Sequence, residues 1–384
     1  MTEVEAGAES VGALSGLRVI DLSMYLPGPY ATLMLADLGA DVVQVEPPTG
    51  DMARAVQPRV GDDSALHHWV GRNKRSLVLD LKSADGREAF HRLVKDADVV
   101  LEGFTPGVAT RLGVDYDACR RTNAEIVYCS ISGAGQDDGP RARPGHDINY
   151  LARAGFLDQV SGADGTPVPV GPPVADIAAG LHAAVGILAA LRYRDAGGGG
   201  QYVDVSLLGA ALALTAPQIV KALAPVPLAA GSDHNRGADP AYRVYRTKDA
   251  RHVAIGAFEH KFWQRLCLVL DRPDLIDRRL TEPAAVADEL VGVFARKDLA
   301  HWDRLLTPAD VCYSPVNRLE EVVGDPVVSL RGDFAATNGG LHSRVQLTNP
   351  IGMSSTPPTM RTDAPPLGIG IVDVGWARCS GDPE

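Results

Sequence analysis

The sequence predicts a doubly wound α/β fold with a second, smaller α+β lobe, and three observations carry that expectation. Short runs rich in β-branched residues alternate with helix-patterned stretches through the first half of the chain. That arrangement builds a mostly parallel sheet covered by helices on both faces. A chain of 384 residues with 45% hydrophobic content has room for two lobes, because single cores stop growing near roughly 250–300 residues. The stretch APVPLAAGSDHNRGADP, rich in Gly, Pro and Ala, has the composition of a connection between lobes.

The elements follow in order. After an acidic, small-residue N-terminal tail, LRVIDLS reads as a strand and LPGPY as a turn. ATLMLADLGA has apolar residues at helical spacing and stops at Gly39, and DVVQVEPP returns to strand chemistry until two prolines end it. The unit repeats: SLVLDL is a strand, SADGREAFHRLVKDA a helix with Ser83 as N-cap, and DVVLEGF the next strand. A further helix leads to EIVYCSISG. GAGQDDG is superficially like a dinucleotide loop, but it is not G-x-G-x-x-G and runs into PRARPG rather than a helix. A long helix from Asp176 to Arg194 ends at the glycine run 197–200, which is costly to keep helical. The strand QYVDVSLL and a helix to about Lys221 follow. Beyond the linker, YRVYRTKDARHVAIGAF reads as a hairpin and HKFWQRLCLVL as a helix, with further helices to about residue 307. From residue 346 the prolines exclude regular structure, so the tail wraps the surface. The large Rossmann-like lobe is assigned to residues 1–221 and 325–384, and the small lobe to 222–324.

Charge and composition narrow the function. A net charge of −11 and a pI near 5.4 argue against a nucleic-acid surface, which would need a clustered basic face. The N-terminus MTEVEAGAESVGAL has neither a basic nor an apolar signal region, so the expected location is the cytoplasm. IAAGLHAAVGILAALRY is alanine-rich and falls short of the roughly 20 strongly apolar residues of a membrane span; it reads as a buried helix. The cysteines Cys119, Cys129, Cys267, Cys312 and Cys379 have no C-x-x-C spacing and read as reduced thiols.

The polar groups of GHDINYLARAG, residues 145–155, raise the question of chemistry. His67 and His68 are adjacent, no H-E-x-x-H occurs, and no metal site is expected. Ser130 and Ser132 lack the G-x-S-x-G frame of a nucleophile elbow. That leaves His146 with carboxylates at a distance. Asp176 stands where a loop turns into the buried helix, and Glu259 between a strand and a helix. Taken one at a time, each carboxylate reads first as a helix-terminus group and His146 as a loop or core histidine.

A resemblance bears on this choice. The ordered blocks GLRVIDLS, LPGPYATLMLADLGADVVQVEPP, GRNKRSLVLDLKS, DADVVLEGFTPGV, YCSISGAGQDDGP, GHDINYLARAG and GILAALRYRDAGGGGQYVDVSLL resemble the family III coenzyme A transferases, and still more their α-methylacyl-CoA racemase branch. The resemblance runs from about residue 15 to 358. It implies an interlocked homodimer acting on acyl-CoA thioesters, with coenzyme A as part of the substrate; the missing metal-ligand spacing and phosphate loop add the expectation of no separate cofactor, and the acidic charge and the buried helix that of no nucleic acid and no membrane partner. It implies His146 and Asp176 as the two catalytic groups, Glu259 as the carboxylate orienting the histidine, and the N–H of Asp147 as the donor to the thioester oxygen. Asp176 is shared with the transferases, where it carries the acyl group; His146 is the racemase mark. Arg72, Lys74 and Arg75, expected in a loop before a strand, are implied as phosphate contacts, and Leu81 and Tyr150 as the pantetheine path. Thr105 and Gln44 stand where the family commonly has cations.

The pair of bases has a chemical rationale. Inverting a carbon beside a thioester needs proton removal from one face and delivery to the other. A histidine and an aspartate suffice if desolvation raises the aspartate's proton affinity and the enolate oxygen meets a donor.

Overall fold

The computed structural model describes residues 12–136, 144–161, 165–225, 237–330, 332–336 and 345–368. Most of the N-terminal tail, part of the GAGQDDGP block, much of the linker and Cys379 lie outside them. Two compact units form, Met1–Thr215 with Leu330–Glu384 and Ala216–Ser329.

The large unit begins with β1 (Arg18–Asp21), α1 (Pro27–Asp37) and β2 (Asp41–Glu46). LPGPY is a turn only in part, because Pro27 and Pro29 occupy the first turn of α1, where a missing N–H costs nothing. A short ribbon, β3 (Arg59–Val60) and β4 (Asp63–Ser64), precedes α2 (Ala65–Val70) and β5 (Lys74–Val78). Helix α3 (Ala84–Val94) is capped as expected, the Ser83 hydroxyl accepting the Gly86 N–H at 3.0 Å. After β6 (Val99–Glu102) come two short helices where one was expected, α4 (Val108–Leu112) and α5 (Tyr116–Thr122), split at Gly113, whose φ is +70°. Then follow β7 (Val127–Ser132), α6 (Asp147–Arg153), α7 (Phe156–Gln159), α8 (Val174–Tyr193), β8 (Tyr202–Ser206) and α9 (Leu207–Ala222).

Six of these strands make one sheet in the order β5-β2-β1-β6-β7-β8, all pairs parallel. Counted along the chain this is the 3-2-1-4-5-6 order of the Rossmann fold, whose strand order reverses between β1 and β6. Ligands of such sheets sit in the crevice at the carboxyl ends of the strands, at that reversal. Each face has its own core. Leu35, Val99, Cys129, Ala179 and Ile187 pack on the side of α1 and α8; Ile20, Phe90, Val100 and Tyr128 pack on the side of α3 and α5. By length and composition α8 could cross a membrane, so the shortness argued from sequence does not hold. Its place is set by packing instead, with Ala175, Ala179, Ala183 and Ile187 buried to 0% exposure.

The division between units falls inside α9. The small unit has β9 (Tyr242–Arg246), β10 (His252–Gly256) and β11 (Tyr313–Pro315) in an antiparallel sheet, β9 and β10 being the expected hairpin. Helices α10 (His260–Val269), α11 (Leu275–Thr281), α12 (Pro283–Phe294) and α13 (Leu299–Leu306) cover a core of Tyr245, Trp263, Phe294 and Trp302.

Within the large unit, the irregular tail is pinned down. Asn73, in a left-handed conformation with φ +59°, accepts the N–H groups of Arg361 and Thr362 at 2.6 and 3.0 Å and donates to Thr359 O at 2.7 Å. The Ser76 hydroxyl accepts the Gly368 N–H.

Candidate active site

The residues of GHDINYLARAG meet the start of α8. His146 is the exposed N-cap of α6, and its N–H is accepted by Asn149 Oδ1 at 2.9 Å. Asp147 turns its side chain away from its own helix: Oδ1 accepts the N–H groups of Ala175 at 2.6 Å and Asp176 at 3.1 Å. One carboxylate therefore caps the first turn of another helix, and the starts of α6 and α8 are tied together. The expectation that Asp147 matters through its main chain misses this side-chain role. Its own N–H, at the first position of α6, has no hydrogen-bond acceptor among the described residues.

Asp176 is the third residue of α8 and 9% exposed. No hydrogen bond to its carboxyl occurs among the described residues. Burial, and secondarily the negative charge of Asp147, pushes the carboxyl up to about 7. Its location on the sheet follows from Gly180, one turn on and on the same helix face. A Cβ at Gly180 would lie 2.6 Å from Pro27 O, so α8 lies directly on the start of α1. Asp176 thus stands at the carboxyl edge of the sheet, beside the loop leaving β1. Tyr150 is buried on α6, with its hydroxyl where a Cβ of Gly133 would be, 2.1 Å away. Gly133 directly follows β7, so its lack of a side chain seats α6 on the sheet.

The cations are placed differently from the sequence expectation. Lys74 and Arg75 belong to β5 itself. Arg72 is 2% exposed and forked onto Asp37 at 2.7 and 3.1 Å, with Leu347 O accepting its remaining nitrogen at 2.6 Å. Lys74 is 3% exposed between Asp21, 3.4 Å, and Pro29 O, 2.8 Å; burial pushes its ammonium below the ordinary value, although Asp21 opposes this. Arg75 is half-exposed and paired with Asp41 at 2.7 Å. Arg72 and Lys74 are thus committed to internal partners, and a phosphate reaching them would have to displace a carboxylate or a carbonyl.

Other cations, missed from sequence, lie at the carboxyl edge. Lys82 and Arg87 flank the loop after β5, Arg87 donating to Lys82 O at 2.7 Å. Arg111 of α4 reaches back to Gly107, its Nη1 3.4 Å from where a Cβ there would sit. Their signal was positional: each follows a strand end by one loop. Tyr25, with φ +70°, shapes the loop after β1 and had no sequence signal, because tyrosine is not a turn residue. Leu81 is half-buried in the same loop region as Lys82. Thr105 is exposed after β6. Gln44 is buried in β2 and donates to Asp51 at 3.0 Å. In the small unit, Glu259 is the exposed N-cap of α10, its carbonyl accepting the Phe262 and Trp263 N–H groups. Among the described residues no three His, Cys, Asp or Glu side chains cluster as metal ligands.

A Rossmann-ordered parallel sheet with a buried acid, Asp176, beside its carboxyl edge defines the α/β class whose members hold ligands in that crevice. The particular family follows from comparison. CoA-transferase family III matches residues 14–369, and the chain belongs to that family. It is 36% identical over 377 residues to the succinate–glutarate CoA-transferase of Agrobacterium fabrum, covering 92% of this chain and 93% of that one. It is 34% identical over 329 residues to the human alpha-methylacyl-CoA racemase, covering 84% and 82%. The crystal structure of a CaiB/BaiF family protein from Brucella suis superposes with a TM-score of 0.80 at 29% identity, covering 93% of this chain and 96% of that one.

Proposed function

We propose that the protein is a racemase or epimerase of 2-methylacyl-CoA thioesters, moving the α-proton between His146 and Asp176 through an enolate. The observation that carries this reading is the Asp147 bridge, which joins the helix begun by His146 to the first turn of α8 beside Asp176. A carboxyl raised to about 7 is available in both protonation states near neutral pH, as a group that takes a proton in one direction and gives it in the other must be. The Asp147 N–H is the donor for the enolate oxygen. Lys82, Arg87 and Arg111 supply positive charge to the phosphates, with Arg75 the most accessible cation of GRNKRS; Leu81 and Tyr150 line the pantetheine path. The enzyme works as a homodimer, a reading supported by the apolar face that α8 leaves exposed at Leu181, Val185 and Tyr193. Incubating single enantiomers of 2-methylacyl-CoA in deuterium oxide tests the function. Deuterium at the α-carbon with loss of optical purity is expected; retention of both proton and configuration contradicts it.

A second reading, CoA transfer with Asp176 as covalent nucleophile, is favoured by relatives named as CoA-transferases, such as the one in Agrobacterium fabrum. An unpartnered, desolvated carboxylate suits that step too. Hydroxylamine traps an acyl-carboxyl anhydride, so a turnover-dependent mass increment on the Asp176 peptide in the presence of a carboxylate acceptor would select this reading.

A further inference from the structure

Glu102 is a buried acid to which no cation is bonded among the described residues. It ends β6 on the face of the sheet opposite Asp21, whose neighbour in the ladder is Leu101. Only 2% exposed, it accepts the Phe104 N–H at 2.6 Å through Oε2 and the Ser130 hydroxyl through Oε1. Ser130 Oγ in turn accepts the Tyr202 hydroxyl at 3.0 Å. Tyr128 of β7 and Tyr202 and Asp204 of β8 lie on the same face of the sheet as the acid. Tyr116 of α5 lies 5.5 Å from the Tyr202 ring, and α4 and α5 bring Arg111, Asp115 and Asp117 to this side of the sheet. Burial, with Asp204 adding to it, pushes Glu102 up to about 7.

The group it holds is the loop 103–107. This loop leaves the carboxyl edge at the β1/β6 reversal, where a Cβ on Gly103 would lie 3.4 Å from Ser23 Cβ. On its other side the Phe104 ring packs into the α3/α5 core. We propose that Glu102 is a positioning residue whose ionised carboxylate fixes the 103–107 loop for coenzyme A binding, and that protonation slackens this hold. The ionised form accepts both hydrogen bonds with charge assistance. Once protonated, the carboxyl must donate, and against Ser130 Oγ, which already accepts from Tyr202, the serine proton loses its acceptor.

The proposal rests on reading the chain as an acyl-CoA enzyme, so the test uses binding rather than turnover. The dissociation constant of free coenzyme A is measured by calorimetry at pH 5.5 and 8.5 for the wild type and Glu102→Gln. Taking the ratio of variant to wild type cancels ionisation of the ligand itself. We expect a ratio of about tenfold at pH 8.5, the scale of one charge-assisted hydrogen bond, falling to about one at pH 5.5, where the wild type is protonated like the amide. A ratio unchanged between the two pH values overturns the proposal. Ser130→Ala keeps the acid and removes a donor that favours its charged form, so the pH at which binding weakens should move upward; an unmoved midpoint also overturns it. A wild type that binds no coenzyme A at either pH overturns the functional reading and this proposal with it.

Discussion

Two groups of buried carboxylates in the large unit meet opposite fates. Asp21, Asp37 and Glu46 are saturated: Asp21 holds Thr32, Ser23 and Lys74, Asp37 holds Arg72 and Asn73, and Glu46 holds Arg54 and Ser76. For Glu46, burial works to raise the carboxyl, yet the hydrogen bonds from Arg54, Ser76 and the Asp51 N–H prevail and hold it below the ordinary carboxylate value. Asp176 has burial without donors and a second carboxylate beside it, and it rises to about 7. The decisive variable is a bonded cation: Glu102, whose donors are both neutral, also rises to about 7. A saturated carboxylate locks strands and tail in place; an unpartnered one keeps an exchangeable proton near neutrality.

The contrast can be broken at either group. The largest effect is expected at the unpartnered acid: Asp176→Asn and His146→Ala should each lower racemisation by about 10²–10⁴-fold, the usual contribution of a positioned acid or base, as read by polarimetry on purified thioester. At the saturated group, Asp37→Ala strands the Arg72 guanidinium. Urea unfolding should show about 3–5 kcal/mol of lost stability, with the turnover of folded protein near wild type.

The stability effect of Asp176→Asn has the opposite sign. With about 7 in the folded chain against the ordinary 3.8, the unfolded chain releases its proton first as pH rises. Stability is therefore lost between about pH 4 and 7. The asparagine variant escapes that loss and should be more stable than wild type at pH 8, by on the order of 2 kcal/mol after allowing for partial solvent access, and no more stable at pH 4. Equal unfolding midpoints at pH 8 would show that Asp176 is not raised. The smallest effect belongs to Asp147→Asn, which keeps an acceptor for the α8 N–H groups but removes a charge. The pH–rate leg assigned to Asp176 should move to lower pH by a fraction of a unit, with the fold intact.

Much of the fold was legible because its cues are local. The run DVVQVE, the Ser83 cap and the hairpin around KDAR each declare themselves within a few residues, and each formed as expected. The burial of Arg72 in GRNKRS was not legible for the converse reason. Its partners, Asp37, Gln346 and Leu347, are tertiary neighbours far along the chain, and a basic run shows nothing of what will bury it. The candidate site falls between these cases. His146 and Asp176 could be singled out, but the bridge joining their helices is a side chain whose neighbours in sequence point elsewhere. The raised value of Asp176 depends on burial, which no spacing encodes.

The central claim is that Asp176 and His146 each serve one face of the α-carbon. It is tested most directly by hydrogen–deuterium exchange on separate R and S thioesters, followed by NMR for His146→Ala and Asp176→Asn. The account predicts that each variant retains slow exchange with one enantiomer only, and that the two variants retain opposite ones. Exchange lost from the same enantiomer in both variants, or kept with both enantiomers in either, would contradict it.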